Sequence, residues 1–578
     1  MNKLWVIAPS EPAVRDQLAQ QLNLPAPLAQ ALMNRGYLDK TSARQFLQPQ
    51  LRQLADPFDL PDMLPAVERI LTAIKKSERI VIYGDYDVDG VTSSALLANV
   101  LRAAGANVEN FLPHRLDEGY GLSVEGLARC CEKYRPQLLI AVDCGTSSVA
   151  EIAGLKIDVI VLDHHEPPAE LPACVAVVNP KRVTGGAPLA SVGVAFKLAH
   201  ALLKLNRHWK VDLRDQLDLV ALGTVADLVP LTGENRILVK AGLERLPVTK
   251  KIGLRALMKV AGVTGIVKQS HVGFRLGPRL NAAGRLDDAM AALELLLTEN
   301  AERATELAEL LDGHNADRQK LEEKIVCEAL AQARELGDDR ILVLANPEWH
   351  PGVIGIVASR VMQQFHRPTV VIGADGKGSC RSVTGFSIVG ALTAVAELLL
   401  RYGGHEMAAG LSVMPEKIPA LQRRLNELAG VMPEPILRVD AVVKLAELDE
   451  TFFDSLEKFE PCGSENPRPV FAVAGMRLQG AARILKDKHL KFTVTDGVAT
   501  AEAIWWGHAE TELPEDEMDL AFAPELNVFR GVAKLQLTVR DVREKSALTR
   551  MTRPSLRQLK SSGSSMLIRF SSREILRI

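Results

Sequence analysis

The sequence has no CxxC pair, no apolar run near the roughly 18 residues of a membrane span, and no GxxxxGKS/T phosphate loop. Each absence removes a class of protein. The cysteines Cys130, Cys131, Cys144, Cys174, Cys327, Cys380 and Cys462 are odd in number and not spaced for a thiolate zinc site, which argues against a disulfide framework and fits a reducing cytosol. The opening MNKLWVIAPSEPAVRD breaks into proline and charge before a signal-peptide core can form, so a cytoplasmic protein with no membrane contact is expected. Without the phosphate loop, P-loop nucleotide hydrolysis is excluded. No repeat of fixed period is present.

Net charge is nearly absent as well, at −2, which taken alone argues against a polybasic nucleic-acid binder. The distribution removes that argument. Residues 541–578 hold nine Lys/Arg against three Asp/Glu, so a basic end balances a more acidic remainder.

What is present is 578 residues, 47% hydrophobic and 24% charged, enough for several folded domains. Residues 1–75 read as an amphipathic lead packed on the catalytic core. From residue 76, RIVIYGDYD (79–87), a helix over 92–105 with Thr92 as its cap, LLIAVDCG (138–145) and DVIVLDHHE (158–166) predict parallel βαβ units. A charged helix over 291–336, with contact positions at Leu307, Leu311, His314, Leu321 and Ile325, reads as a connection between lobes. A second α/β segment occupies 337–432, with strands at 340–345 and 368–373 and helices near 352–365 and 387–401. Beyond Met432-Pro433-Glu434-Pro435 the period drops to two, predicting an all-β, OB-like domain over 436–542. Residues 543–578, rich in Ser and Arg, read as a basic tail: either a DNA arm or an extension foreign to the rest, the latter being favoured. The expected fold class is α/β, with a parallel-sheet lobe, a smaller lobe beyond a long helix, and a β-domain.

Three predicted strands end in acids: Asp85, Asp87 and Asp89 after the first, Asp143 after the second, and Asp163 with His164 and His165 after the third. Open parallel sheets bind ligands at these ends, so the groups can converge. Carboxylates that close would take up protons unless a cation held them, which points to divalent metal; the imidazoles tilt the choice from Mg2+ toward Mn2+. DYDVDG also matches half of a calcium loop, but position 12 is Leu96 where a bidentate Glu is needed. An Asp-rich surface turn is the plainer alternative for one such string, and three strand ends in one α/β unit argue against it. Asp227, an isolated acid in ALGTVADLVPL, would complete two metal sites. Two metals sharing a carboxylate propose phosphate ester hydrolysis.

GDYDVDG, VDCG, LDHH and Asp227, in this order, resemble the four-motif signature of the DHH phosphoesterase family. GPRLNAAGRLDDA (277–289), WHPGVIGIVASR (349–360), GKGSCRSV (376–383) and GGHEMAAG (403–410) resemble its DHHA1-bearing branch. With the β-domain, nearly the whole chain up to residue 542 is similar to the family's single-strand-specific DNA exonucleases. The DHH domain then spans 76–290 and the DHHA1 domain 337–432. The resemblance implies processive 5′ to 3′ hydrolysis of single-stranded DNA to mononucleotides with two Mn2+ or Mg2+ ions, in recombination and repair. It implies a monomer, with a single-stranded-DNA-binding protein and a recombination helicase as candidate partners.

The same resemblance gives Asp87 and Asp89 one metal each, makes Asp143 the bridge, completes the sites with His164 and Asp227, and joins Asp85 to the first. His165 would face the scissile phosphate, with Asp163 beside it as the second catalytic group. Arg279, Asn281 and Arg285 are candidates for DNA phosphates, against a helix-capping loop with surface arginines. Gly403, Gly404 and His405 would approach a phosphate opposite Ser379 and Arg381; a GG pair otherwise simply ends a helix after Tyr402. Cys380 stands where the family usually has glycine, and a side chain there would shift the loop. In the β-domain Phe471, Arg477, Arg483, Lys486, Lys488 and Phe492 are candidate contacts for a single strand, against the alternative that half of them are core or solubility residues.

Two other functions remain open at this level. A DHH enzyme for oligoribonucleotides or cyclic dinucleotides would have little need of residues 436–542. An inactive DNA-binding scaffold would have no use for a complete metal set.

Overall fold

The computed structural model describes residues 3–113, 121–286, 289–529 and 532–545, with 285–286, 528–529 and 532–533 by backbone alone. These form two compact units, Pro49–Pro433 with Gly463–Glu465, and Met1–Gln48 with Glu434–Cys462 and Asn466 onward. The expected basic tail lies outside the described residues from 546 on.

In the larger unit, Arg79–Gly84, Leu138–Val142, Asp158–Leu162 and Ala176–Val178 are runs of Val, Ile, Leu and Ala with few polar interruptions. Such runs are what a parallel sheet covered on both faces requires. With Asn107–Phe111 they make an all-parallel sheet in the order 107–111, 79–84, 138–142, 158–162, 176–178. The chain steps outward one way after the first strand and the other way thereafter. The strand order therefore reverses between 79–84 and 138–142, which is where an open α/β sheet leaves its crevice.

The helix after the first strand spans Val88–Ala103, four residues earlier than predicted. Its cap is Asp87, whose carboxylate accepts from the amides of Asp89 (2.8 Å) and Gly90 (3.2 Å). Thr92 is instead buried inside the helix, its hydroxyl donating to the Val88 carbonyl at 2.7 Å. Two helices, Ser191–Leu205 and Leu217–Ala226, pack against it in the same core.

The connection is two helices, Met290–Leu297 and the 35-residue Ala301–Glu335. Leu307, Leu311 and Ile325 are buried as expected, but so are Asn315, Arg318 and Glu322. Arg318 pairs with Glu322 at 2.7 Å, and Glu322 also meets Arg360 at 2.6 Å. The helix is thus tied to Ile354–Phe365 of the second lobe.

That lobe is a five-stranded sheet in the order 399–404, 408–413, 377–381, 369–372, 342–345. The helix predicted over 387–401 stops at Thr393, and Leu399–Gly404 is a strand antiparallel to Ala408–Val413. Gly403-Gly404 therefore belongs to a hairpin and does not end a helix.

The smaller unit contains a closed barrel. Phe471–Leu478, Met518–Phe529, Val532–Glu544, Thr500–Trp505 and His489–Thr495 pair in that cyclic order, and His489–Thr495 returns to Phe471–Leu478. Numbered along the chain this ring is 1-4-5-3-2, with strands three and five parallel, which is a five-stranded Greek-key barrel of OB type.

One expectation is corrected here. Residues 1–48 cluster with the barrel unit, and only 49–75 belong with the catalytic core. Leu4–Ile7 pairs in parallel with Ile436–Val439, and Leu18, Leu28, Leu32 and Phe46 share a core with Phe452, Phe459 and Phe471. An amphipathic face shows that burial is required without showing which core supplies it. No described helix is long and apolar enough to cross a membrane.

Candidate metal centre

Register carries the acids to one level. Gly84 lies beside Val142 and Val142 beside Leu162, so the next residues, Asp85, Asp143 and Asp163, come off the sheet in a row. Asp143 has φ 63°, a left-handed conformation that Asp tolerates better than most residues. Two glycines make room. A Cβ on Gly90 would meet the Asp85 carbonyl oxygen at 2.4 Å, and one on Gly223 would lie 2.8 Å from Asp89 Oδ1.

Three overlapping sets of ligand atoms result, each within 4.8 Å: Asp85, Asp87 and Asp143; Asp89, His164 and Asp227; and Asp143, His164 and His165. His164 Nε2 lies 3.3 Å from Asp143 Oδ1 and 3.4 Å from Asp227 Oδ2. The Asp85 carboxylate is buried, and neither of its oxygens finds a hydrogen-bond partner of good geometry among the described residues.

Such crowding has an electrostatic cost. Burial, with Asp87 adding to it, pushes Asp85 well above the usual carboxylate range and Asp89 up to about 7. Burial and the surrounding acids push Asp143 well up and Asp227 up to about 9. Burial, then the neighbouring His165, lowers His164 to about 3, leaving a neutral imidazole. Divalent cations would answer all of these observations: they would reverse the repulsion, give the Asp85 oxygens a partner and suit the neutral imidazole nitrogen. The donor set, oxygen-rich with one clear nitrogen, fits Mn2+ or Mg2+.

Asp163 and His165 have a different environment. Burial would raise Asp163, but His165 and the amide of Thr146 hold it well below its ordinary value. Its Oδ1 accepts from His165 Nδ1 at 2.7 Å and from the amide of His164 at 2.7 Å. Burial would lower His165, but the bond to Asp163 together with the charges of Asp163, Asp89 and Asp85 outweighs it, so this imidazole is held toward its protonated form. Asn179 donates to the His165 carbonyl (2.9 Å) and to Thr146 Oγ1 (3.0 Å), and Thr146 N donates to Asp163 Oδ2 at 2.9 Å.

Outside the cluster the predicted contacts divide. Asn281 accepts from the amide of Val88 at 3.1 Å, capping the helix that bears Asp89. Arg279 is held to Asp312 at 2.8 Å and to the Arg275 carbonyl. The side chain of Arg285 lies outside the described residues. In the second lobe Ser379 pairs with Gly410 and Gly410 with Gly403, so Ser379 and Gly403 share one cross-strand row. Arg381 Nη1 donates to Ser379 Oγ at 3.1 Å, and Gly404 has φ 138°. His405 follows, its amide bonded to the Ala408 carbonyl at 2.8 Å. Cys380 faces the other way, buried with Val370, Ile372 and Leu411, so its side chain does not enter this row. In the barrel, Phe471 and Phe492 are core residues, which corrects their assignment as contacts. Arg477 pairs with Glu517, while Arg483, Lys486 and Lys488 are exposed.

Sequence reasoning missed Ser191, Thr146 and Asn179. Asn179 directly follows the buried strand Ala176–Val178, so the strand-end rule, applied once more, would have found it. Ser191 carried no such signal. Its amide and that of Val192 bond the Asp89 carboxylate at 2.7 and 2.9 Å, and its hydroxyl bonds Asp143 Oδ1 at 3.0 Å.

Comparison with known proteins matches residues 79–224 to the DHH family N-terminal domain, 338–430 to the DHHA1 domain and 439–541 to the RecJ OB domain. The chain is 37% identical over 560 residues to the single-stranded-DNA-specific exonuclease RecJ of Bacillus subtilis, covering 93% of this chain and 70% of that protein. Two crystal structures of RecJ from Thermus thermophilus are similar. The complex with Mn2+ has TM-score 0.84 and 34% identity, covering 94% of this chain and 80% of that one. The complex with Mg2+ has TM-score 0.78 and 33% identity, covering 94% and 79%.

Proposed function

The chain belongs to the RecJ family of DHH single-stranded-DNA-specific exonucleases, and on that premise we propose how its own residues carry the reaction. It is a metal-dependent hydrolase of single-stranded DNA, with two divalent ions, Mn2+ or Mg2+, serving DNA recombination and repair. Degradation runs 5′ to 3′ and releases mononucleotides.

The observation that carries the residue assignment is the pair of ligand sets that meet at His164 and Asp143. Asp85, Asp87 and Asp143 would hold one ion, and Asp89, His164 and Asp227 the other, with Asp143 placed beside His164 between the two sets. Held by these residues, divalent ions would supply an activated water and neutralisation of charge on the phosphoryl group. Asp163 holds Nδ1 of His165, so the other imidazole nitrogen, Nε2, is presented to the phosphate as a proton donor. Asn179 and Thr146 keep that pair in place. Ser379, Arg381, Gly403, Gly404 and His405 bind a phosphate of the strand, and the barrel holds single strand through Arg483, Lys486 and Lys488. Arg285 is retained as a phosphate contact. Arg279 and Asn281 are reassigned to support, because each already satisfies a partner within the fold. The domain reading is a DHH lobe, a DHHA1 lobe and a barrel unit that includes residues 1–48. A monomer acting in the cytoplasm, with a single-stranded-DNA-binding protein and a helicase as partners, completes the proposal.

The test uses 5′-labelled and 3′-labelled single strands and blunt duplex with Mn2+, alongside Asp143→Ala. Release of the 5′ label first from single strands, with a silent variant, is expected. Equal cleavage of blunt duplex, or an unaffected variant, would reject the proposal.

A further inference from the structure

We propose that Ser191 is a positioning residue that ties the two ligand sets together, its hydroxyl fixing Asp143 while its amide, with that of Val192, fixes Asp89. The inference rests on the metal-ligand assignment above.

The hydroxyl has no competing local role. Ala190, not Ser191, occupies the N-cap of the helix Ser191–Leu205, and that helix end has no side-chain cap bond. Ser191 is fully buried, and its Oγ donates to Asp143 Oδ1 at 3.0 Å. Its amide is one of the free donors at a helix start, and it is directed at Asp89 Oδ2 at 2.7 Å, with Val192 N on Oδ1 at 2.9 Å. One residue therefore contacts carboxylates that arrive from two different elements, the first turn of the helix Val88–Ala103 and the end of the strand Leu138–Val142, and that belong to two different ligand sets.

The need for such a residue follows from the electrostatics. Asp89 and Asp143 repel each other and are buried, so each gains by moving apart. Donors on a rigid element oppose that movement. The helix behind Ser191 is almost wholly buried through Leu202, so it cannot follow the acids. Partners that orient ligating carboxylates typically account for about 10–100-fold in metal affinity.

The experiment is a Mn2+ titration of the full chain by calorimetry and by melting temperature, for wild type, Ser191→Ala and Ser191→Thr. In the Ala variant the Mn2+ midpoint is expected to rise about 10–100-fold. The metal-free melting temperature should stay close to wild type, and saturating Mn2+ should restore kcat. The Thr variant, which keeps the hydroxyl, should titrate within a few-fold of wild type. An Ala variant with the wild-type midpoint overturns the inference. So does a folded Thr variant that titrates like Ala, or a kcat loss that saturating Mn2+ does not restore, since both mean that packing and not the hydroxyl matters. Failure of the metal assignment itself reads differently, as wild-type protein that binds no Mn2+.

Discussion

The strand ends of the parallel sheet and the surface of the barrel treat charge in opposite ways. Around the strand ends four acids, Asp85 and Asp143 with the helix-borne Asp89 and Asp227, are packed together and mostly buried, and burial, then their mutual repulsion, holds them above their ordinary pKa values. On the barrel, Arg477, Arg468 and Lys491 pair with Glu517, Glu525 and Glu502, and much of each pair is open to solvent. The first arrangement is tolerable only with bound cations or with protons in their place. The second costs little and contributes little, as exposed pairs do. Buried charge that lacks its counterion is therefore the better marker of a site, and exposed basic residues mark only a surface that a polyanion can use.

The largest expected effect tests the acid side of that contrast. Asp143→Ala, which removes the carboxylate common to two ligand sets, should lower kcat/KM on single-stranded DNA by about a thousandfold or more, equivalent to about 4 kcal/mol. A loss of under tenfold would mean that the acids are structural.

Stability separates the barrel's interior from its surface. Phe492→Ala should destabilise the barrel unit by about 3–5 kcal/mol in denaturant unfolding, as a buried ring lost from a core. Lys486→Ala should remain within about 0.5 kcal/mol.

A third measurement tracks the protons. Without metal, burial and then the neighbouring acids push Asp89 up to about 7 and Asp227 up to about 9, against 3.8 for an ordinary Asp. Between those values the folded state holds protons that the unfolded chain has released, so stability falls as pH rises through that window. Mn2+ takes the place of those protons. The rise in melting temperature on adding Mn2+ should therefore be greater at pH 8 than at pH 6, with proton release on binding. An equal rise at both would break the link between crowded acids and metal.

The smallest effect belongs to the barrel surface. Arg483→Ala with Lys486→Ala should weaken single-strand affinity a few-fold and flatten the slope of log K against log salt by about 0.7 per charge removed. An unchanged slope would place the strand elsewhere.

Legibility depended on physical locality. Acids at strand ends were readable because a buried parallel strand is a contiguous apolar run, and the residue after it must emerge at the sheet's edge. Asp87 was read as a ligand and falls in one cluster of potential ligand atoms, but its role as helix cap displaced Thr92 from the position expected for it. Arg279 and Asn281 were read as phosphate contacts because nothing local names Asp312 or the amide of Val88 as their partners. Phe471 and Phe492 failed for a related reason: period-two alternation separates two faces without saying which one a closed barrel turns inward.

The sequence by itself determined the class of site, since the types and order of Asp85, Asp87, Asp89, Asp143, His164, His165 and Asp227 at strand and helix ends admit few chemistries other than divalent metal. Tertiary structure alone decided which acids form each set, that residues 1–48 join the barrel, and that Ser191 reaches two carboxylates at once. The reason is distance along the chain. Asp89 and Ser191 are separated by 102 positions, and no local pattern records a contact that only the packing of one helix start against another creates.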